Sequence, residues 1–286
     1  MPNNQAKIGS QTMARRIHEA YSGLSEGERR IAETILESPA ELAVFTASEL
    51  AGQAGVSNAT VSRFFRRLGY SNFEEARQDA RRMRALGSPL YTGRKSADRS
   101  DPISELIRNE IALLETTLTR VNPLTIKEIG QAIATAPRIR TLGYRNSHFL
   151  AQYATAQLAQ MRPGVSPLLL PGQTQAEGIS MLGKGDLAII VGLRRRPSGF
   201  VRAVEEIAER GASILLIADQ TIRAAPAFAT WTLECAVDTP QFADSYVGAV
   251  SMLRLLTLET RRALGEAGRV YLEEVEELRG RLGELE

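Results

Sequence analysis

Two short runs in the second half of the chain, Leu187–Val191 (LAIIV) and Ile214–Ala218 (ILLIA), are apolar at every position. A half-exposed strand alternates apolar with polar residues, so a run without alternation must be covered on both faces. Neither run approaches the ~20 residues that cross a bilayer, so the cover must be protein. Both sit in a series of short runs bounded by Gly or Pro. Strands are expected at 138–143, 166–170, 186–192, 213–218 and 231–237. Helices are expected between them, at 147–162, 175–181, 199–210 and 242–264, with two more at 103–120 and 124–136. Strands alternating with helices signal βαβ units, and therefore a mostly parallel sheet with helices on both faces. The closing segment EEVEELRGRLGELE reads as a charged helix.

The first 86 residues follow a different period. Leu24, Ile31, Ile35 and Leu36 recur at helical spacing, Ser25 and Glu28 suit a capping box, and Pro39 sets the stop. A second helix is expected from Thr46, with Glu49 three residues on, to Ala54. A third runs from Ser57 to Gly69, and a charged fourth from Phe73 to Leu86. Residues 87–102, GSPLYTGRKSADRSDP, gather Gly, Pro, Ser and charge without a period and read as a linker. The expected division is an all-α domain at 1–86, a linker at 87–102 and an α/β domain at 103–286. A length of 286 residues suits two domains. The single cysteine, Cys235, excludes a disulfide framework and a multi-cysteine metal site. No metal or cofactor is expected. The polar N-terminus lacks the apolar stretch of a signal peptide, and no membrane partner is expected. The expected location is the cytoplasm.

A net charge of +2 conceals an asymmetry. Residues 1–100 carry 15 Lys/Arg against 11 Asp/Glu, and the remainder 20 against 22. Residues 57–84 alone hold seven arginines against three acids, the footprint of a surface that meets phosphates. The same region contains TASELAGQAGVSNATVSRFFRRLG, whose spacing fits two helices crossing at a tight turn. Ala51 is small where the helices cross, Gly55 supplies the turn, and Ser57 caps the second helix. Leu50, Ala54, Val56, Val61 and Phe64 are then expected inside. Asn58, Ala59, Thr60 and Arg63 project from the start of the second helix, where base edges are read. Asn and Arg suit bidentate contacts to adenine and guanine, and the two methyl groups suit thymine. The candidate DNA-contacting set is Thr46, Ser57, Asn58, Ala59, Thr60, Arg63, Arg66 and Arg67. Arg66 and Arg67, with Tyr70 and the Ser71–Asn72 turn, are placed for phosphates.

In the second half, Leu142-Gly143-Tyr144-Arg145-Asn146-Ser147 leads from a strand into a long helix. A helix N-terminus with a Ser hydroxyl is a layout for holding an anion. The spacing is neither a dinucleotide fingerprint nor a P-loop. The loop after 186–192 reads Leu193-Arg194-Arg195-Arg196-Pro197-Ser198-Gly199. Arginine forks bind carboxylates and phosphates, so Asn146, Ser147, Arg194, Arg195 and Ser198 are the candidate effector set, with Arg194 and Arg195 ahead of Arg196. Asp219, after a later strand, either touches the same ligand or caps its own turn. Few acids are expected near this cluster, which argues for an anionic ligand.

On the segments LSEGERRIAETIL, TASELAGQAGVSNATVSRFFRRLGYSNFEE, RIRTLGYRNSHFLAQY and GDLAIIVGLRRRPSGFVRAVEEIAERGASILLIAD, the chain resembles the RpiR/MurR family of bacterial transcriptional regulators. The FADSYVGAVSMLRLL helix adds to the likeness, which runs from about residue 14 to 265. The resemblance implies an all-α helix-turn-helix domain joined to a three-layer α/β sugar isomerase (SIS) domain of flavodoxin-like form. It implies a homodimer or homotetramer on a palindromic operator in double-stranded DNA. It also implies a small anionic effector, a phosphosugar being one candidate, that modulates operator affinity. The loop at 193–199 departs from the family's Ser/Thr/Gly-rich pattern. The alternative is a SIS-type sugar-phosphate isomerase with an accessory helical domain. Isomerisation needs a carboxylate or imidazole base. Glu177 and His148 are the nearest residues of that kind, no acid–base pair stands out, and no catalytic residue is assigned.

Overall fold

A computed structural model describes residues 13–85, 87–88, 101–240 and 243–284. Most of the expected linker, residues 89–100, lies outside the described residues, as do Leu86 and Phe242. The chain divides into two compact units.

Among the described residues the first unit holds five α-helices: α1 (Met13–Ala20), α2 (Glu26–Glu37), α3 (Ala47–Ala54), α4 (Asn58–Arg67) and α5 (Phe73–Ala85). Helix α2 starts where Glu28 accepts hydrogen bonds from the Ser25 N–H and hydroxyl, and it ends before Pro39. Thr46 and Glu49 close a capping box at the head of α3. Gly55 then adopts φ 62°, ψ 42°, the left-handed conformation that glycine enters at little steric cost. Its neighbour Val56 donates its N–H to Ala51, closing the end of α3. The core is Ile17, Ile31, Leu50, Val61, Phe64 and Phe65, all without measurable exposure. Phe65 meets Phe64, Tyr70 and Phe73 edge to face.

The second unit begins with α6 (Pro102–Leu118) and α7 (Pro123–Thr135). It continues through β1 (Ile139–Gly143), α8 (Asn146–Ala159), β2 (Val165–Pro167), α9 (Gln175–Ser180) and β3 (Leu187–Gly192). It closes with α10 (Phe200–Glu209), β4 (Ser213–Ala218), β5 (Trp231–Glu234) and α11 (Val247–Leu282). The sheet order is β2-β1-β3-β4-β5, parallel throughout. Alternate residues of β3 point to opposite faces, and both are covered. Ile189 and Val191 pack with Ile129, Ile133, Leu150 and Met252 from α7, α8 and α11. Ala188 and Ile190 pack with Phe200, Val204 and Ile207 from α10. That double cover is why LAIIV and ILLIA carry no polar position.

Several expected boundaries shift, three of them in ways that bear on the sheet and the last helix. The strand expected at 166–170 is three residues long and ends at Pro167, whose missing N–H cannot extend a ladder. The strand expected to reach Val237 ends at Glu234. The helix expected at 242–264 begins at Val247 and is continuous with the charged tail, except at Gly265, where φ 53° and ψ −129° break it.

Candidate functional site

In the first unit, the start of α4 forms an exposed polar surface. Ser57 accepts the Thr60 N–H and so satisfies one of the helix's free donors. Asn58, Ala59, Arg63 and Arg66 are exposed along one side of the helix, while Val61, Phe64 and Phe65 face the core. Asn58 donates from Nδ2 to the Ser48 hydroxyl at 3.2 Å, which fixes its side chain against α3. Thr46 is spent on its cap: its N–H donates to Glu49 at 2.7 Å, and this bond holds the Glu49 carboxyl below its usual range.

The basic excess is not a single face. Arg67, with 48% of its side chain exposed, lies beside Glu28 and donates to the Gly23 carbonyl, so part of its charge is met within the unit. Arg77 and Arg81 donate to the carbonyls of Phe45 and Ala43, tying α5 to the approach to α3. Arg82 pairs with Asp79. Thr60 is half-buried, with its methyl turned toward Gly27 of α2, so it does not project as its position in the sequence suggested. Tyr70 is buried under the Arg16 guanidinium and donates to Asp79, and Asn72 caps α5 by accepting the Glu75 N–H. Tyr70 is therefore not placed for a phosphate, while Ser71 and Asn72 stay exposed.

In the second unit, the strand order reverses between β1 and β3, and ligands of open α/β sheets bind outside the strand ends at such a point. Gly143 ends β1. A Cβ there would lie 2.2 Å from the Ser147 carbonyl oxygen, so only glycine lets α8 begin this close to the strand. Arg145, the residue before α8, takes φ 55° and ψ −127°, a strained conformation for a side-chain-bearing residue. Ser147 is buried, and its Oγ accepts the Leu193 N–H at 3.3 Å, joining the head of α8 to the loop after β3. The N–H groups of Ser147 and His148 donate to the carbonyls of Tyr144 and Arg145, so they are not free for an anion as expected. Asn146 donates to the Tyr246 hydroxyl at 3.0 Å.

The arginine loop is correspondingly occupied. Arg194, with 5% of its side chain exposed, pairs with Asp238 at 2.8 Å. Arg196 donates to Asp219 and the Gly192 carbonyl, both at 2.7 Å, and to the Thr221 hydroxyl at 2.6 Å. Asp219 also accepts the Thr221 N–H, so it caps its own turn. Arg195 is exposed, at φ 64°, and Ser198 is exposed beyond it. The expectation of few acids near this cluster is corrected: Asp219 and Asp238, delivered past the ends of β4 and β5, neutralise two of the three arginines.

Two family models match the chain: the rpiR-family helix-turn-helix domain over residues 11–81, and the SIS domain over residues 132–259. The chain joins an rpiR-family helix-turn-helix domain to a SIS domain. It is similar to the transcriptional regulator HexR of Pseudomonas aeruginosa, at 26% identity, with 85% of this chain and 84% of HexR covered. Among solved structures it resembles the sugar isomerase domain of an RpiR transcription factor from Sphaerobacter thermophilus. That match has TM-score 0.58 and 24% identity, and covers 62% of this chain and 99% of that one. It also resembles Vibrio vulnificus NanR, solved in complex with ManNAc-6P, at TM-score 0.56 and 18% identity, covering 95% and 99% of the two chains. The chain is an RpiR-type transcriptional regulator with a SIS domain.

In this RpiR regulator the residues considered for isomerase chemistry have other roles. Glu177 accepts the Thr174 N–H and hydroxyl at the head of α9, and those bonds hold its carboxyl below the usual range. A carboxylate so held is poor at donating a proton. His148 is exposed on α8. Cys235 is buried, and burial pushes its thiol up to about 12, so it is not a reactive thiolate at neutral pH. Asp238 and Tyr246 were not anticipated at these strand ends. They lie 44 and 100 residues from their partners, and no local pattern marks such a pairing.

Proposed function

We propose that two copies of the chain set their α4 helices in successive major grooves of a palindromic operator, and that a small anionic metabolite in the SIS cleft changes that affinity. The observation that carries the DNA half is the exposed row Asn58, Ala59, Arg63 and Arg66 on a capped helix whose opposite side is core. Arg63, near the helix start, reads a base edge; Arg66, one turn on, meets phosphate. Replacing Arg63 with Ala costs about 1–3 kcal/mol of operator binding and relaxes base preference. Arg66→Ala weakens all sequences alike and lowers the salt slope by about one. Titration of operator and scrambled duplexes at several salt concentrations separates the two. Unchanged binding in both variants would sink the assignment.

For the effector, Arg194 is the central group. Its partner Asp238 has 61% of its side chain exposed, so the carboxylate can return to water at little cost when a ligand anion takes its place. The NanR structure with a phosphosugar supports this class of ligand. Asp238→Asn removes the competing charge and should tighten anion binding, whereas Arg194→Ala should abolish it. A thermal-shift series with phosphosugars and organic acids on both variants and the wild type is the test. Equal shifts in all three proteins would place the sensor elsewhere.

A further inference from the structure

The last helical segment, after the break at Gly265, lies beyond the residues 132–259 matched by the SIS domain. From Glu266 to Leu282 it spans about 25 Å at 1.5 Å per residue. One row of its residues falls at alternating intervals of three and four, Gly268, Tyr271, Val275, Leu278 and Leu282, with the apolar Ala267, Val270 and Leu272 beside it. That is the a/d seam of a two-stranded coiled coil, in which these positions insert between those of a facing helix. Leu278 and Leu282 are 48% and 68% exposed, so the seam has no cover of its own at that end.

We propose that this segment pairs in parallel with the same segment of a second copy of the chain. The flanking positions select both the partner and the orientation. In a parallel pair each g position faces the e position five residues on in the other helix. Glu274 then faces Arg279, an opposite-charge pair made twice by symmetry, and Ala267 faces Leu272, apolar on apolar. Antiparallel pairing about the same seam would set Leu272 against Arg279 instead. Gly268 is buried under Leu264 of its own helix, so the part of the seam open to a partner begins at Tyr271. Two and a half heptads are too short to hold two chains together alone. The coil therefore rests on the pairing of copies proposed above and adds to it.

The test uses the full chain with one new thiol. Cys235 is buried with its thiol pushed up to about 12, so an engineered cysteine is the reactive one. Under mild oxidation Leu278→Cys, at a d position, should form a covalent dimer roughly tenfold faster than Glu273→Cys on the outer side of the helix, because the seam raises the local thiol concentration. Glu274→Arg in the Leu278→Cys background should slow the reaction, and adding Arg279→Glu should restore it. Sedimentation of the same variants reports the pairing of copies separately. A dimer whose two cysteine variants cross-link equally, or not at all, overturns the coil. A monomer overturns the pairing and the coil with it.

Discussion

Arg194 and Arg196 are two residues apart in sequence and have different environments. Arg194 is buried and holds an exposed carboxylate; Arg196, 16% exposed, holds Asp219, whose side chain is 3% exposed. Removing an arginine leaves its partner behind, and the cost depends on whether that partner can reach water. Arg196→Ala strands the buried Asp219 and should cost about 3 kcal/mol of folding stability. Arg195→Ala, which removes an exposed side chain, should change stability by less than about 0.5 kcal/mol. Chemical denaturation of the two variants checks the order; a larger loss for Arg195 would contradict it. None of this was legible in the sequence. The three consecutive arginines announced an affinity for anions, but the anions turned out to be the chain's own, brought in by strands β4 and β5. Arg67 gives the same lesson in the first unit: its place on α4 suggested a phosphate, and its contacts are Glu28 and Gly23.

The elements themselves were far more legible, because their signals are local. Ser25, Thr46, Ser57 and Thr174 each stand at the head of a helix, and three of the four have a glutamate three residues on. Boundaries failed at Pro167, where the ladder loses a donor, and at Glu234 and Val247, which no local signal marks. The caps carry a prediction about acid. The carboxyls of Glu49 and Glu177 lie below the ordinary 4.5 because backbone N–H donors favour their charged form. Burial pushes Glu28 upward, but the Ser25 N–H and hydroxyl and the nearby Arg67 outweigh it, and it too lies low. A carboxyl lowered by folding contributes stability that is present above its unfolded value and lost as pH falls through the folded one. Melting temperature should therefore drop as pH falls below about 4.5. Glu49→Gln keeps an acceptor at the cap but cannot titrate. The gap in melting temperature between wild type and this variant, present at pH 7, should close in acid. A gap that stays constant from pH 7 to pH 3 would show that the Glu49 charge is not the source. Thr46→Ala, which loses the hydroxyl at any pH, should cost about 1 kcal/mol throughout.

At the scale of the whole molecule, the question is how one short recognition helix selects a site. On the function proposed above, α4 offers few side chains to base edges, and a single helix of that kind reads too little sequence to single out an operator. Two copies held at a fixed separation multiply their discrimination, since binding of the second becomes intramolecular. The surface best placed to hold two copies is α6, whose Ile103, Leu106, Ile107 and Ile111 are each at least 50% exposed along one side of the helix. A row of large apolar residues left in water is a mark of an interface. Charging it should separate the copies, because a glutamate at such a contact would be desolvated without a partner. Ile107→Glu with Ile111→Glu should convert a dimer into a monomer at micromolar concentration, the short tail coil being unable to hold the pair alone. The operator titration should then change in a specific way. The wild type should prefer a full palindrome to a single half-site by roughly a hundredfold or more, whereas the variant should bind both with nearly equal affinity. Since α6 lies outside the DNA-binding unit, the affinity of the variant for a half-site should match that of the wild type. A variant that stays dimeric, or one that loses half-site binding as well, would show that α6 is not the pairing surface.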